Sequence, residues 1–355
     1  MTGPVLQRGV NLSNWFQLDG IQSISESDFQ QIYQAGFDHV RIPVDPAFFG
    51  WGPGGNQDAA EQKIIATLSY LSSLAATHKL ALIIDIHPSL ALAEQIETDD
   101  EAANAFVSLW SKMAAGLRLT SPDNVALEIW NEPPYYSGDS SRWPKLAARI
   151  VASIRASLPQ HLLIVGGRFS NGIDGLLEFR PLPDPNILYV FHFYDPFIVT
   201  HQGASWWRDK NDTAIGFMQN VPYPASLGAL SQIQLINGAN RAVAMQEIAA
   251  YSVSGWNRGK IAGEIEKAAD WARHFRVKLI CTEFGVLKET TSPAPRLNWL
   301  RDMREELERH GIGWSVFDLV DSFGIATRQG DNLEISPDMR RALGLPLSRP
   351  ASGQP

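Results

Sequence analysis

A closed (β/α)8 TIM-type barrel is the fold class that this 355-residue sequence predicts, and three observations carry it. Short β-rich runs alternate with amphipathic helical stretches, the order that builds a parallel sheet flanked by helices. The runs number eight, which is what closes such a barrel. The length exceeds the roughly 250 residues of a plain barrel and leaves room for an insertion.

The eight runs are residues 8–12, 39–43, 81–86, 126–131, 162–165, 188–193, 278–282 and 314–317. After the first, Ser25 reads as a helix N-cap, Phe29 and Ile32 follow at helical spacing, and Gly36 stands where a C′ glycine belongs. Trp110, Trp271 and Trp299 fall inside amphipathic helical stretches and read as core. Before the eighth run, Leu297, Leu300, Arg304 and Leu307 keep a helical period that ends at Gly311, with Pro293 and Pro295 before its start. No linker, repeat or shift of composition divides the chain, so a single domain over 1–355 is expected. One segment breaks the rhythm. Between the sixth run and a helix over 258–275 lie roughly sixty residues, where two to six are usual. This insertion holds Trp206, Trp207, Tyr223, Tyr251 and Trp256. Long loops on the C-terminal face of a barrel serve binding, so it is expected to fold over the mouth. The competing reading is that its tryptophans anchor it to the outer helices.

Composition narrows the function. A net charge of −8, without a basic run of five or more, argues against a nucleic-acid or anionic-membrane surface. The single cysteine, Cys281, excludes an internal disulfide and a multi-thiolate metal site. Glycine-rich stretches at 52–55 and 166–167 match neither phosphate-binding nor dinucleotide-binding patterns, and no His-x-x-x-His or carboxylate cluster has ligand spacing, so no cofactor and no metal are expected. The opening Met1-Thr2-Gly3-Pro4 has no basic or apolar leader character. Eleven tryptophans are the compositional oddity, and exposed aromatic faces suit sugar rings.

Active sites of such barrels sit at the C-terminal strand ends. There the runs read Arg41 on the second, Asp85 and His87 on the third, Asn131-Glu132-Pro133 on the fourth, His192-Phe193-Tyr194 on the sixth and Thr282-Glu283-Phe284-Gly285 on the seventh. The eighth reads Trp314-Ser315-Val316-Phe317. One carboxylate each on the fourth and seventh runs, ringed by Arg, His, Tyr and Trp, is the arrangement glycoside hydrolysis requires.

At these residues the chain resembles glycoside hydrolase family 5, the retaining cellulases and mannanases. The resemblance runs from Arg8-Gly9-Val10-Asn11-Leu12 to about Phe317. It implies that Glu132 is the general acid/base and Glu283 the nucleophile. It implies further that Asn131 bonds the sugar 2-hydroxyl, that Arg41 and Tyr194 hold Glu283 ionised and oriented, and that His87 and His192 line the cleaved-sugar subsite. The family places a stacking ring after the eighth strand, for which Phe317 and Trp314 are both candidates. Trp206 and Trp207 are the expected subsites beyond the cleavage point. A retaining pair requires carboxyls roughly 5 to 5.5 Å apart, an inverting pair roughly 6.5 to 9.5 Å.

Plainer readings stand beside these. Glu128 lies deeper in the fourth run and reads first as a structural carboxylate paired with a barrel cation, and Asp85 first as a partner of His87. Cys281 reads as a buried small hydrophobe. Trp15, Trp51 and Trp256, in loops, are further stacking candidates, and Glu247 and Glu264 are expected to be solvated. The implied activity is hydrolysis of a β-linked polysaccharide by a monomer, first as an endo-β-1,4-glucanase. Mannanase, β-1,3-glucanase, exopolysaccharide hydrolase and a barrel that binds glycan without cutting it are the alternatives. Such work favours a secreted or periplasmic setting.

Overall fold

The computed structural model describes residues 3–17, 24–135 and 139–347, the side chains of residues 228–230 excepted. Eight parallel strands close into a barrel: Arg8–Asn11, His39–Val44, Ala81–Ile86, Val125–Glu128, Leu162–Gly166, Ile187–His192, Lys278–Glu283 and Gly313–Val316. Each pairs with its neighbour in the chain, and the first closes against the eighth. Most lie within a residue or two of the predicted runs. The fourth differs most, because its ladder stops at Glu128. Beyond it the chain still lends single bonds to its neighbours, from Ile129 N–H to Ile164 O (3.1 Å) and from Asn131 N–H to Ile86 O (2.8 Å).

Successive side chains on a strand face opposite sides, which sorts the interior into layers. Leu6, Ile83, Ala126, Leu162, Ile164, Leu188, Val190 and Ile280 form a compact apolar plug in the lower barrel. The alternate positions, among them Val40, Ile42, Leu82, Ile84, Leu127, Cys281 and Trp314, join the larger core beneath the helices. Above the plug lies a fully buried polar layer of Asn11, His39, Arg41, Asp85, Glu128, Thr282 and Ser315. His39 bridges Asp38 (2.6 Å) and Ser315 (2.8 Å), and Gly9 carries no side chain because a Cβ there would strike the His39 ring.

The helices follow their predicted punctuation. Glu26–Ala35 starts after Ser25, whose N–H donates to the Asp28 carboxylate at 2.7 Å, and ends on Gly36 at φ 104°. Arg258–Phe275 has the expected bounds, and Trp110, Trp271 and Trp299 are buried. No helix among the described residues is long and apolar enough to cross a membrane.

The insertion, residues 193–257, is partly structured. It contains the short helix Phe197–Thr200, 3-10 turns at Ser205–Trp207 and Ile215–Phe217, a two-residue antiparallel pair (Met218–Gln219 with Gln234–Leu235) and the helix Arg241–Ser254. Buried tyrosines pin it down. Tyr223 donates to Asp302 of the helix Pro293–Arg309 at 3.0 Å, and Tyr251 to Pro222 O at 2.6 Å. Glu247, expected in solvent, instead ties the insertion together by accepting from Thr213 Oγ1 (2.7 Å) and Ala214 N–H (2.9 Å).

Candidate active site

Two local departures from regular geometry bring the carboxylates together. Opposite His192 the seventh strand slips register, so that Phe191 pairs with Cys281 but His192 with Glu283. Thr282 is the extra residue. Such a bulge re-aims side chains, and here both Thr282 and Glu283 serve the interior. Past the end of the fourth strand Glu132 adopts φ 50°, a left-handed conformation uncommon outside glycine, which turns the chain just past Asn131. An oxygen of Glu132 and one of Glu283 then lie within 4.8 Å of each other, with His192 between them.

Arg41 is the hub below this pair. Its guanidinium donates to Glu283 (2.7 Å), to both oxygens of Glu128 (2.8 and 3.0 Å), to Asn11 Oδ1 (2.9 Å) and to Asn131 Oδ1 (2.7 Å), and it lies 3.0 Å from Asp85. With its oxygen committed to Arg41, Asn131 turns its amide nitrogen to His87 Nε2 at 3.1 Å, while His87 Nδ1 meets Asp85 Oδ2 at 2.9 Å. Tyr194 donates to Glu283 Oε2 at 3.0 Å. His192 spans Glu132 Oε1 (2.8 Å) and Thr282 Oγ1 (3.0 Å).

The electrostatics follow from this wiring. Burial works to raise the Glu283 pKa, but His192, Arg41 and His87 outweigh it and hold the carboxyl below its ordinary value. Burial likewise opposes Glu128, yet Arg41 and His192 take it down to about 2. For Asp85 burial wins and the pKa rises. His192 is lowered by burial but raised more by Glu283, Glu128 and Glu132, to about 10. Single ligand atoms of Glu132, His192 and Glu283 lie within 4.8 Å of one another, a grouping that the ion pairs of His192 with both carboxylates account for.

A cleft of about 1120 Å³ opens beside Glu132 and His192. Phe169, Asp174 and Leu177 from beyond the fifth strand form one wall, and His201, Trp206, Trp207 and Lys210 from the insertion form the other. A smaller cavity of about 530 Å³ lies at the N-terminal end of the barrel, around Leu6, Leu162 and Gly313, far from these strand ends.

The sequence profile described as cellulase, glycosyl hydrolase family 5, matches residues 2–322. The chain belongs to that family. It is a glycoside hydrolase acting on glycan. Among curated relatives, Endoglucanase C of Acetivibrio thermocellus is 27% identical over 325 residues, spanning 87% of this chain and 90% of that protein. Cellodextrinase A of Ruminococcus flavefaciens is 23% identical over 86% of this chain and 83% of its own length. Of solved structures, the cellulose synthase subunit Z of Clostridioides difficile superposes with a TM-score of 0.76 at 22% identity, covering 96% of this chain and 99% of that one. The endoglucanase Cel5A of Thermotoga maritima gives 0.72 at 21%, covering 95% and 96%.

Against this family 5 barrel the sequence-predicted residues fall into groups. Arg41, His87, Asn131, Glu132, His192, Tyr194 and Glu283 converge in one bonded network. Phe317 stands half-buried just past the eighth strand, 5.7 Å from Phe323, which in turn lies 5.8 Å from Tyr194. Trp206, 50% exposed, and Trp207 line the cleft. Trp314 does not belong to the site. It shares the parity of Val316, opposite to Ser315, and is fully buried between Phe37 and Phe284 in the helix layer. Trp51 and Trp256 are corrected likewise: Trp51 is buried against Phe106, and Trp256 packs on the core. Trp15 rests against Phe16 and Phe29. Glu264, half-buried, pairs with Lys267 at the cleft edge instead of standing free in solvent. Sequence reasoning passed over Asn11, Thr282, Phe323 and His201. Asn11 and Thr282 had a signal, since both are polar residues at inward positions of strands; His201 and Phe323 lie in aperiodic loops and had none.

Proposed function

We propose that the chain is a retaining endo-β-1,4-glucanase in which Glu283 is the nucleophile and Glu132 the general acid/base. The observation that carries the reading is the approach of the two carboxylates, an oxygen of each within 4.8 Å of the other, a closeness that suits direct attack by Glu283 on a sugar protonated by Glu132 at its leaving oxygen. Glu283, kept ionised by Arg41 and His192, attacks the anomeric carbon while Glu132 gives its proton to the departing glycosidic oxygen. The glycosyl ester neutralises Glu283. Glu132, now anionic beside the cationic His192, takes a proton from water as that water attacks the ester-bound carbon. Asn131 is locked by Arg41 and has a second amide hydrogen for the 2-hydroxyl of the bound sugar. Phe317, packed with Phe323 and Tyr194, supplies an aromatic floor, and Trp206 and Trp207, which share the cleft with Glu132, stack on the leaving-group sugars. The named activities of Endoglucanase C and Cellodextrinase A favour a β-1,4-glucan over mannan or β-1,3-glucan.

The test is a panel of soluble β-glucans, mannan and β-1,3-glucan, with product sizes by chromatography and first-product anomers by NMR. Fastest cleavage of β-1,4-glucan into mixed oligosaccharides with initial β-anomers is expected. Preference for another polymer overturns the substrate, and initial α-anomers overturn the mechanism.

A further inference from the structure

The wall built by the insertion contains a histidine that the catalytic steps leave unused. His201 follows the helix Phe197–Thr200, is only 8% exposed, and lines the cleft that also holds Glu132, Trp206 and Trp207. Its ring lies nearly parallel to Trp207, with 16° between planes and 5.4 Å between centroids, and stands edge-on to Tyr194 at 5.0 Å and Phe323 at 5.2 Å. Burial drives its pKa down to about 3 against the smaller pull of Glu283, so the imidazole is neutral. A count of hydrogens then fixes its tautomer. Thr200 Oγ1 donates its one proton to the Tyr194 carbonyl at 2.5 Å, and a carbonyl can only accept. At its 3.0 Å contact with His201 Nδ1 the Thr200 oxygen must therefore accept, and Nδ1 carries the ring proton. Nε2 is left as a bare acceptor without a protein partner among the described residues, and it is not sealed from the cleft.

A fixed acceptor beside a pair of tryptophans suits a ligand with an apolar face and hydroxyl donors on its rim, which describes a pyranose. We propose that His201 is a specificity residue for the leaving-group sugar, its Nε2 accepting a hydrogen bond from a hydroxyl of the first pyranose on the Glu132 side of the cleavage point. This deepens the glucanase reading and rests on it. Tyr194 and Thr200 serve here as positioning residues. Tyr194 thereby has two duties, its hydroxyl on Glu283 and its carbonyl, through Thr200, on His201.

The test compares two substrates that differ only beyond the cleavage point. Cellotetraose departs with a sugar, whereas an aryl β-cellobioside departs with a phenol that has no sugar hydroxyl. His201→Phe keeps an aromatic ring and removes the acceptor, and His201→Gln restores an acceptor oxygen. For His201→Phe, kcat/KM on cellotetraose is expected to fall about 10- to 100-fold, at least about tenfold more than on the aryl glycoside, with His201→Gln recovering part of the loss. Should His201→Phe fail to fold, His201→Leu against His201→Gln makes the same comparison. Equal losses on the two substrates, or no loss on cellotetraose, overturn the assignment of His201 while leaving the glucanase reading intact. Wild-type protein inert on both substrates overturns that reading and this one together.

Discussion

Burial disfavours the negative charge of Glu283, and the Arg41 guanidinium and the His192 imidazolium outweigh it, which makes these two cations part of the chemistry. His192 is the largest of the opposing influences. Because the folded pKa is depressed, the nucleophile stays ionised down through the usual carboxylate range, and the acidic limb of kcat/KM is expected below about pH 4.3. His192→Gln removes that charge and is expected to move the limb upward, as a pH–rate profile would read; an unmoved limb would mean another group sets it. Glu283→Ala is expected to lower kcat on oligosaccharide by about 10⁴-fold or more. Glu132→Ala is expected to lose far less on an aryl glycoside, whose phenol needs little protonation, until hydrolysis of the ester limits turnover. Both carboxylates were legible in the sequence because each closes a strand, where polar residues interrupt apolar runs. Their approach was not legible, since it depends on the Thr282 bulge and the left-handed Glu132, neither of which has a residue signature such as glycine.

Among the elements, the insertion between the sixth and seventh strands carries the most consequence. Its length and its tryptophans announced it, but they did not say which rings were structural. The helix Arg241–Ser254 and the buried Tyr223 and Tyr251 anchor it, while Trp206 and Trp207 stand over the cleft. Stacking against a sugar is worth roughly 1 to 3 kcal/mol per aromatic if it resembles base stacking. Trp206→Ala is accordingly expected to raise KM for long oligosaccharides about tenfold, to spare the shortest cleavable one, and to leave the melting temperature almost unchanged. A large fall in melting temperature, or equal loss on long and short substrates, would make the ring a packing element. Trp314 teaches the complementary lesson. Strand parity, readable from the polar Ser315 beside it, assigns Trp314 to the helix layer and Phe317 to the mouth.

At the scale of the whole molecule, a buried ionic layer bolts the barrel together beneath the active site. Arg41 faces Asp85, Glu128 and Glu283 at once, so its loss would strand three carboxylates in the interior. Arg41→Ala is expected to cost about 3 to 5 kcal/mol, read as a lowered denaturant midpoint. The same layer shapes stability against pH. Glu128, depressed to about 2, contributes in full above its unfolded value near 4.3. That contribution is lost as the pH falls toward 2. His192, raised to about 10, contributes in full below about 6.5, and its share declines as the pH climbs toward 10. The number of strands and their order were legible from alternation alone, because a barrel repeats one unit eight times. The polar layer was legible only in part: Arg41 and Glu128 stood out as charges inside strands, whereas their bidentate pairing belongs to the closed structure. What the barrel and its ionic layer serve is a covalent intermediate on one carboxylate, and a 2-deoxy-2-fluoro-cellobioside with a good leaving group traps it. Mass spectrometry of the digested protein is expected to find the fluorosugar on the peptide containing Glu283, in proportion to lost activity. Inactivation with the label on any other residue, or full turnover of β-1,4-glucan by protein that never accumulates the adduct, would contradict the account.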